Sequence, residues 1–368
     1  MKIGIIGGGI IGLSCAWQLL RNGYEVEVLE KGEIGENTST VAGGMLAPQA
    51  ELQFEEFNMY KIEYKSLELW DTFLEELNKD TTDNISINKC GTLFAGIDRD
   101  DTEHIRRLYE FRKNLGLDVT WLSGSETRDM ESDLSARVVS GMYMKGDAVV
   151  NNNAVINSLI KAIKRKNGRI NDHTKATKVE KKRDKGVKVH TTELNKEYDD
   201  LIIAAGNYVN QIEGLQAESF KIRPLKGQII FLKRNEEINT KRMIRHPRGY
   251  LVPQSDGTLR IGATSEEKGF DDKPTAGGIK DILDNAWEIV PSIYDLSILD
   301  IKTGFRPSTP DHAPVIGRNT KDGILYATGL FRHGILLTPL TAYAVCNEII
   351  KGKSLKMVKP LRPERFQQ

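Results

Sequence analysis

Cysteine is scarce in this 368-residue chain, and the three present, Cys15, Cys90 and Cys346, are odd in number and far apart. Neither a disulfide framework nor a CxxC metal or redox pair can be drawn from them, and a reducing, cytoplasmic compartment is expected. The six histidines are scattered, with none at helical spacing from another His or from a Cys, so no metal site is expected. Charge of one sign is not in excess either. Lys plus Arg number 52 against 51 Asp plus Glu, which leaves no field to hold nucleic acid or an acidic membrane. The one long uncharged stretch, between Lys2 and Arg21, imitates a signal peptide or a membrane span by length alone. Gly4, Gly7, Gly8, Gly9 and Gly12 within it argue against both. No repeat and no low-complexity segment is found, and the natural partner is a small molecule.

What is present is an ordinary globular balance, 39% apolar residues with 33 glycines, over a length suited to two domains or one large domain with an insertion. Residues 2–6 read as a short strand, 10–22 as a helix through Ile10, Leu13, Cys15, Trp17 and Leu20, and 24–29 as a second strand. Together they make a parallel crossover of about thirty residues. Helices are expected at 57–78, 154–166, 279–290 and 338–350, and strands at 85–95, 137–144, 200–204 and 325–327. The run Lys181, Lys182, Arg183 and Lys185 around Asp184 and Gly186 reads as a solvated hairpin before it reads as a basic binding patch. From Ile222 to Ala263 the character changes, and the runs 228–232, 250–253 and 259–263, joined by turn residues, predict an antiparallel sheet.

Gly7, Gly9 and Gly12 fall between the first strand and the first helix. That spacing gives a tight turn, a close pyrophosphate approach and helix packing, with helix-terminal amides facing the phosphates. Glu30 ends the second strand, where an acid accepts both ribose hydroxyls of an adenosine half. FAD is favoured over NAD by the segment that follows. Thr38, Ser39 and Thr40 supply hydroxyls, and Gly43, Gly44 and Met45 let a flat ring lie against the backbone. Near the carboxyl end a strand and Gly329 lead into Leu330, Phe331, Arg332, His333, Gly334, Ile335 and Leu336. The helix beginning there can face the flavin pyrimidine edge and stabilise negative charge on the reduced ring.

These residues, with Arg223-Pro224-Leu225-Lys226-Gly227, Tyr250-Leu251-Val252-Pro253, Gly262-Ala263-Thr264 and Gly304-Phe305-Arg306-Pro307, run through nearly the whole chain in one order. The chain resembles the flavoprotein amino-acid oxidases of the D-amino-acid oxidase and sarcosine oxidase type, and among them the glycine oxidases of thiamine biosynthesis most. The resemblance implies an α/β fold with a Rossmann-like FAD-binding domain, discontinuous over 1–84, 145–215 and 300–368. An interleaved antiparallel-sheet substrate domain (α+β) would take 85–144 and 216–299. It also implies FAD contacts from Ile10, Ile11, Glu30, Lys31, Thr38, Ser39, Gly43, Gly44, Met45, Val179 and residues 330–336, and Gly206 is counted with them. Arg306 would bind the substrate carboxylate with help from Tyr250, and Arg332, Arg248 and Met45 are further substrate-side candidates. A homo-oligomer is implied as well.

Some positions depart from the glycine oxidase pattern. Arg248 stands where it has histidine, Ser265 where it has methionine, and Pro48 and Gln49 follow Met45-Leu46. Residues 307–314 lack the cysteine that carries flavin in sarcosine oxidases, so FAD is expected to be noncovalent.

Oxidising an amino acid at its α-carbon needs a carboxylate anchor, an unprotonated amine and a hydride acceptor, with no side-chain base required. Arg306 offers a bidentate fork and Tyr250 one hydroxyl. Arg332 either holds a loop over the flavin or makes an interdomain salt bridge, and His333 is either a proton donor or a helix cap. Asp311-His312 has no serine in a strained elbow to complete a triad. The expected activity is FAD-dependent oxidative deamination of glycine or another small amino acid or secondary amine, with molecular oxygen or another acceptor taking the electrons. The alternatives are a dehydrogenase of a small D-amino acid, sarcosine or proline, and a non-catalytic FAD-binding redox module.

Overall fold

The computed structural model describes residues 1–182, 186–236 and 238–366. Its first layer is a six-stranded sheet in the order Val315–Arg318, Leu325–Thr328, Asp200–Ile203, Lys2–Ile6, Glu25–Leu29 and Arg169–Asn171. All pairs are parallel except the first, which is antiparallel. The apolar run of Lys2–Ile6 explains its central place: Ile3 and Ile5 are fully buried beneath helices on one face, and Ile6 packs on the other face with Val187, Val189 and Tyr198 of a small antiparallel sheet. Helix Ile10–Arg21 follows, carrying the fully buried Leu13 and Trp17, and it packs against Asn152–Arg165 and Thr338–Lys351. Trp17 keeps its indole N–H satisfied by donating to Asp80 Oδ2 at 2.8 Å.

The second layer is an eight-stranded sheet in the order Ser297–Ser308, Arg223–Lys233, Thr258–Gly262, Gly249–Pro253, Met243–His246, Thr92–Gly96, Ser140–Met144 and Val119–Ser123. It is antiparallel apart from one parallel pair, Met243–His246 with Thr92–Gly96. Helix Ala276–Ile289 lies on it and buries Ile282, Ala286 and Ile289. A smaller sheet joins Ala176–Lys181, Val187–Thr191 and Lys196–Tyr198. The basic turn expected at Arg183, Asp184 and Lys185 lies outside the described residues.

Several elements differ from expectation. The strand expected at 85–95 begins at Thr92, because Gly91 adopts φ +72° and a Cβ there would press into the Tyr143 ring at 2.6 Å. The strand expected at 137–144 begins at Ser140. Helix Arg99–Asn114 was not anticipated. It is capped by Asp98, whose carboxylate accepts from Asp101 N at 2.8 Å, but its buried apolar residues, Ile105 and Leu108, are hidden in a charged stretch. Among the described residues no helix is long and apolar enough to cross a membrane, and no group of three His, Cys, Asp or Glu side chains could hold a metal ion.

Candidate active site

A cavity of about 480 Å³ lies where the carboxyl ends of the parallel strands meet the second sheet. Its cradle wall is mostly main chain. Gly7 has φ +111°, and a Cβ on it would overlap the Ala204 carbonyl; one on Gly12 would overlap the Gly7 carbonyl. Only glycine fits either position. Helix Ile10–Arg21 starts with no side-chain cap from Gly9, so its terminal amides are free to meet an anion, except that Ile10 N donates to Ser39 Oγ at 3.1 Å. The Glu30 carboxylate is fixed beside the loop, accepting from Gly8 N at 2.7 Å and Gly32 N at 3.0 Å. A dinucleotide with a ribose at Glu30 and a pyrophosphate at the glycine turn suits this cradle.

The hydroxyl segment after Glu30 joins the two layers. Thr38 Oγ1 donates to Phe305 O at 2.9 Å and accepts from Phe305 N at 3.3 Å, while Asn207 Nδ2 donates to the same carbonyl at 2.6 Å. The Leu330–Leu336 loop is anchored from behind, since Leu336 O accepts from Ser66 Oγ at 2.7 Å and Trp70 Nε1 at 3.0 Å. The His333 ring is buried, with Nδ1 2.7 Å from the equally buried Glu63 Oε1 but out of line for a hydrogen bond.

Of the residues the sequence singled out, Gly7, Gly9, Ile10, Ile11, Glu30, Lys31, Thr38, Ser39, Gly43, Met45, Gly206, Tyr250, Arg248, Arg306 and residues 330–336 line the cavity. Three expected cofactor contacts do not. Gly12 packs behind the turn it permits. Gly44, at φ +80°, sits against the Val150 carbonyl, and Val179 is buried in the small sheet, its N–H donating to Glu213 O at 2.8 Å. Pro48 and Gln49 likewise fall beneath the cavity, with Gln49 N donating to Asp147.

The substrate wall is built from long side chains. Tyr250 stands in a slot between Gly43 and Gly262: a Cβ would come within 3.4 Å of its ring at Gly43 and 2.9 Å of its hydroxyl at Gly262. Burial raises its phenol pKa, against the pull of Arg306. The Arg306 guanidinium lies over Gly227, where a Cβ would be 2.6 Å from Nη1, and it donates to Thr264 O at 3.2 Å. Among the described residues Arg306 makes no ion pair, unlike the arginines around it. Arg332 pairs through Nε with Glu51 Oε2 at 3.1 Å and also with Glu56. Both partners lie within 1–84, the stretch expected to share a domain with Arg332. Arg248 is half exposed and turned to Glu288 at 3.1 Å and Asn285 at 3.1 Å.

Sequence reasoning missed Glu51 and Arg245, which line the cavity and pair with each other. A signal was available for Arg245, because it stands directly opposite Tyr250 across the hairpin at Pro247 and must share its face. Burial works to raise the Glu51 pKa, but Arg245, Arg332, His333 and Arg306 hold it at about 2. The turn that carries Glu51 is gripped from both ends. Asp147 accepts from Gln49 N at 3.0 Å and Ala50 N at 3.1 Å, and the fully buried Arg112 donates to Gln49 O and Leu52 O at 2.9 Å each.

A glycine turn at the switch point of a parallel sheet, an acid at the end of the second strand and a facing antiparallel sheet define an FAD-binding oxidoreductase. The chain belongs to the FAD dependent oxidoreductase family (DAO), whose profile matches residues 2–348. It is 28% identical to the glycine oxidase of Geobacillus kaustophilus over 347 residues, 94% of this chain and 92% of that one. It is 30% identical over 367 residues to the bifunctional protein ThiO/ThiG of Trichormus variabilis, matching 99% of this chain and 55% of that one, so it spans about half the length of that relative. The crystal structure of glycine oxidase from Geobacillus kaustophilus superimposes with a TM-score of 0.91 at 26% identity, covering 98% of each chain. The recognised family and the mixed α/β fold expected from the sequence are therefore both found, with FAD as cofactor.

Proposed function

We propose that this protein oxidises glycine, or another small amino acid or secondary amine, to its imine. The imine is released for hydrolysis to a keto acid and ammonia or, from glycine, for use in thiazole synthesis toward thiamine. The carrying observation is that, among the described residues, Arg306 lacks a carboxylate partner in a cavity whose neighbouring arginines are all paired. A half-buried guanidinium without a carboxylate partner suits a substrate carboxylate, held by two parallel hydrogen bonds. The names of the relatives support the same reading.

When bound, FAD supplies a two-electron acceptor for the hydride leaving the α-carbon, and the nitrogen lone pair closes the C=N bond as that hydride departs. Arg306 fixes the carboxylate, and the Tyr250 hydroxyl donates to it as a second contact. No residue need act as a base if the amine enters unprotonated. Glu30 holds the ribose, the Gly7 and Gly9 turn meets the pyrophosphate, and Thr38, Ser39, Gly43, Met45 and the Leu330–Leu336 loop enclose the ring system. The six-stranded sheet belongs to an FAD domain close to 1–84, 145–215 and 300–368, and the eight-stranded sheet to a substrate domain close to 85–144 and 216–299, apart from its edge strand Ser297–Ser308, which crosses the bound at 300. Oxygen is the proposed final acceptor, giving hydrogen peroxide, and the protein acts in the cytoplasm as a homo-oligomer.

The test is made on the protein as isolated. Acid precipitation should leave the yellow colour in the supernatant, anaerobic glycine should bleach the flavin, and air should restore it with release of peroxide. A coloured pellet would overturn noncovalent binding. A flavin that no small amino acid or secondary amine bleaches would overturn the activity.

A further inference from the structure

Four arginines line the cavity, and their partners are unequal. Arg248 is satisfied outside the cavity by Glu288 and Asn285, and Arg332 keeps Glu56 as a partner of its own. Among the described residues Arg245 has Glu51 alone for charge pairing, and its buried Nε has no hydrogen-bond partner. Glu51 spends both carboxylate oxygens on this wall, Oε1 toward Arg245 and Oε2 toward Arg332. Its main chain is held in place, because Asp147 and Arg112 bond the backbone on either side of it, and the two arginines draw the carboxylate toward this wall.

We propose, resting on the amino-acid oxidase reading above, that Glu51 is the specificity-determining residue that confines this site to substrates with one carboxylate. With Glu51 in place, Arg306 is, among the described residues, the one arginine of this cavity without a carboxylate partner, and a second acidic group on that wall would meet an occupied Arg245 and a negative charge beside it. Neutralising Glu51 releases Arg245 as a second anion fork. The site then favours amino dicarboxylates and their analogues.

Acetate and malonate, which cannot be oxidised, probe the FAD-loaded protein through tryptophan fluorescence and thermal shift. The wild type should bind acetate at least tenfold more tightly than malonate. Glu51→Gln should move that ratio at least tenfold toward malonate, Glu51→Asp should keep the wild-type preference, and Glu51→Gln combined with Arg245→Met should lose the gain. Turnover of D-aspartate relative to glycine should follow the same order.

Malonate binding to the wild type as tightly as acetate overturns the proposal, whether or not Glu51→Gln folds. So does an unchanged ratio in a folded Glu51→Gln, or a gain that survives removal of Arg245. If the ratios shift as expected while no amine is turned over by any variant, the role of Glu51 stands and the amino-acid oxidase reading is the one that falls.

Discussion

The two walls of the cavity solve their binding problems with different parts of the chain. On the cradle wall the recognising groups are amides and absent side chains, and Gly7 and Gly12 leave no room even for a methyl group. On the opposite wall the groups are arginines, a tyrosine and a carboxylate at the ends of flexible stems. Their positions are set by partners up to 281 residues away in sequence, as for Arg332 and Glu51. The main-chain wall is therefore rigid and intolerant of added volume, whereas the side-chain wall can be re-tuned by changing one charge. Substitutions on the two walls should fail in different ways.

The largest effect is expected on the side-chain wall. Arg306→Ala should lose about 3 kcal/mol of transition-state binding, roughly a hundredfold or more in kcat/KM for glycine. FAD content and Tm should be unchanged, and normal efficiency would remove Arg306 as anchor. The matching lesion in the cradle is Gly12→Ala, which should cost about 1–3 kcal/mol of stability through overpacking against the Gly7 carbonyl and should weaken FAD retention. Wild-type FAD affinity and Tm in that variant would contradict the rigid-wall account.

A third expectation concerns pH. Burial raises the Asp147 carboxyl to about 7 against its hydrogen bonds and the nearby Arg112, from an ordinary value of 3.8. The folded state thus holds a proton that the unfolded state has already released between about 4 and 7. The contribution to stability is fully present below 3.8 and falls as pH rises to about 7, by up to about 1.4 kcal/mol per pH unit. Asp147→Asn should flatten that part of the difference between the two stability profiles, and parallel profiles would sink the assignment.

Tyr250→Phe should raise KM several-fold, about 1 kcal/mol for one hydrogen bond, with little change in FAD retention. Smallest is Arg248→His. The arginine is half exposed and already paired, so the change should stay within about 0.5 kcal/mol and leave the substrate ranking alone. A change in ranking would place Arg248 at the substrate after all.

The contrast between the walls also explains what the sequence allowed to be read. The cradle was legible because a glycine turn and the acid after the second strand are local constraints, visible within thirty residues. Arg306 drew notice because Gly304 and Pro307 flank it, although they read as an ordered turn and instead lie within strand Ser297–Ser308, paired with Arg223–Lys233. Glu51 was not legible, since nothing near it in sequence shows that Arg245 will arrive from another strand, or that Asp147 and Arg112 will grip its turn. The same limit hid helix Arg99–Asn114, where charge obscured the two apolar residues that dock it. The strand beginning at Thr92 was read as starting too early because Gly91 was taken as an interior residue when its positive φ makes it the boundary.

Three successive residues of strand Ser297–Ser308 touch everything the chemistry needs to align. Gly304 lies against Val41, Phe305 is tied through its main chain to Thr38, and Arg306 reaches over Gly227. The anchor is thus measured from the cradle by a single step of about 3.4 Å along one strand, with no loop in between. Insertions or deletions in the loops on either side can accumulate over generations without detuning the distance between donor and acceptor. A lineage can vary its outer surface and its second wall freely while this short stretch is inherited as a unit.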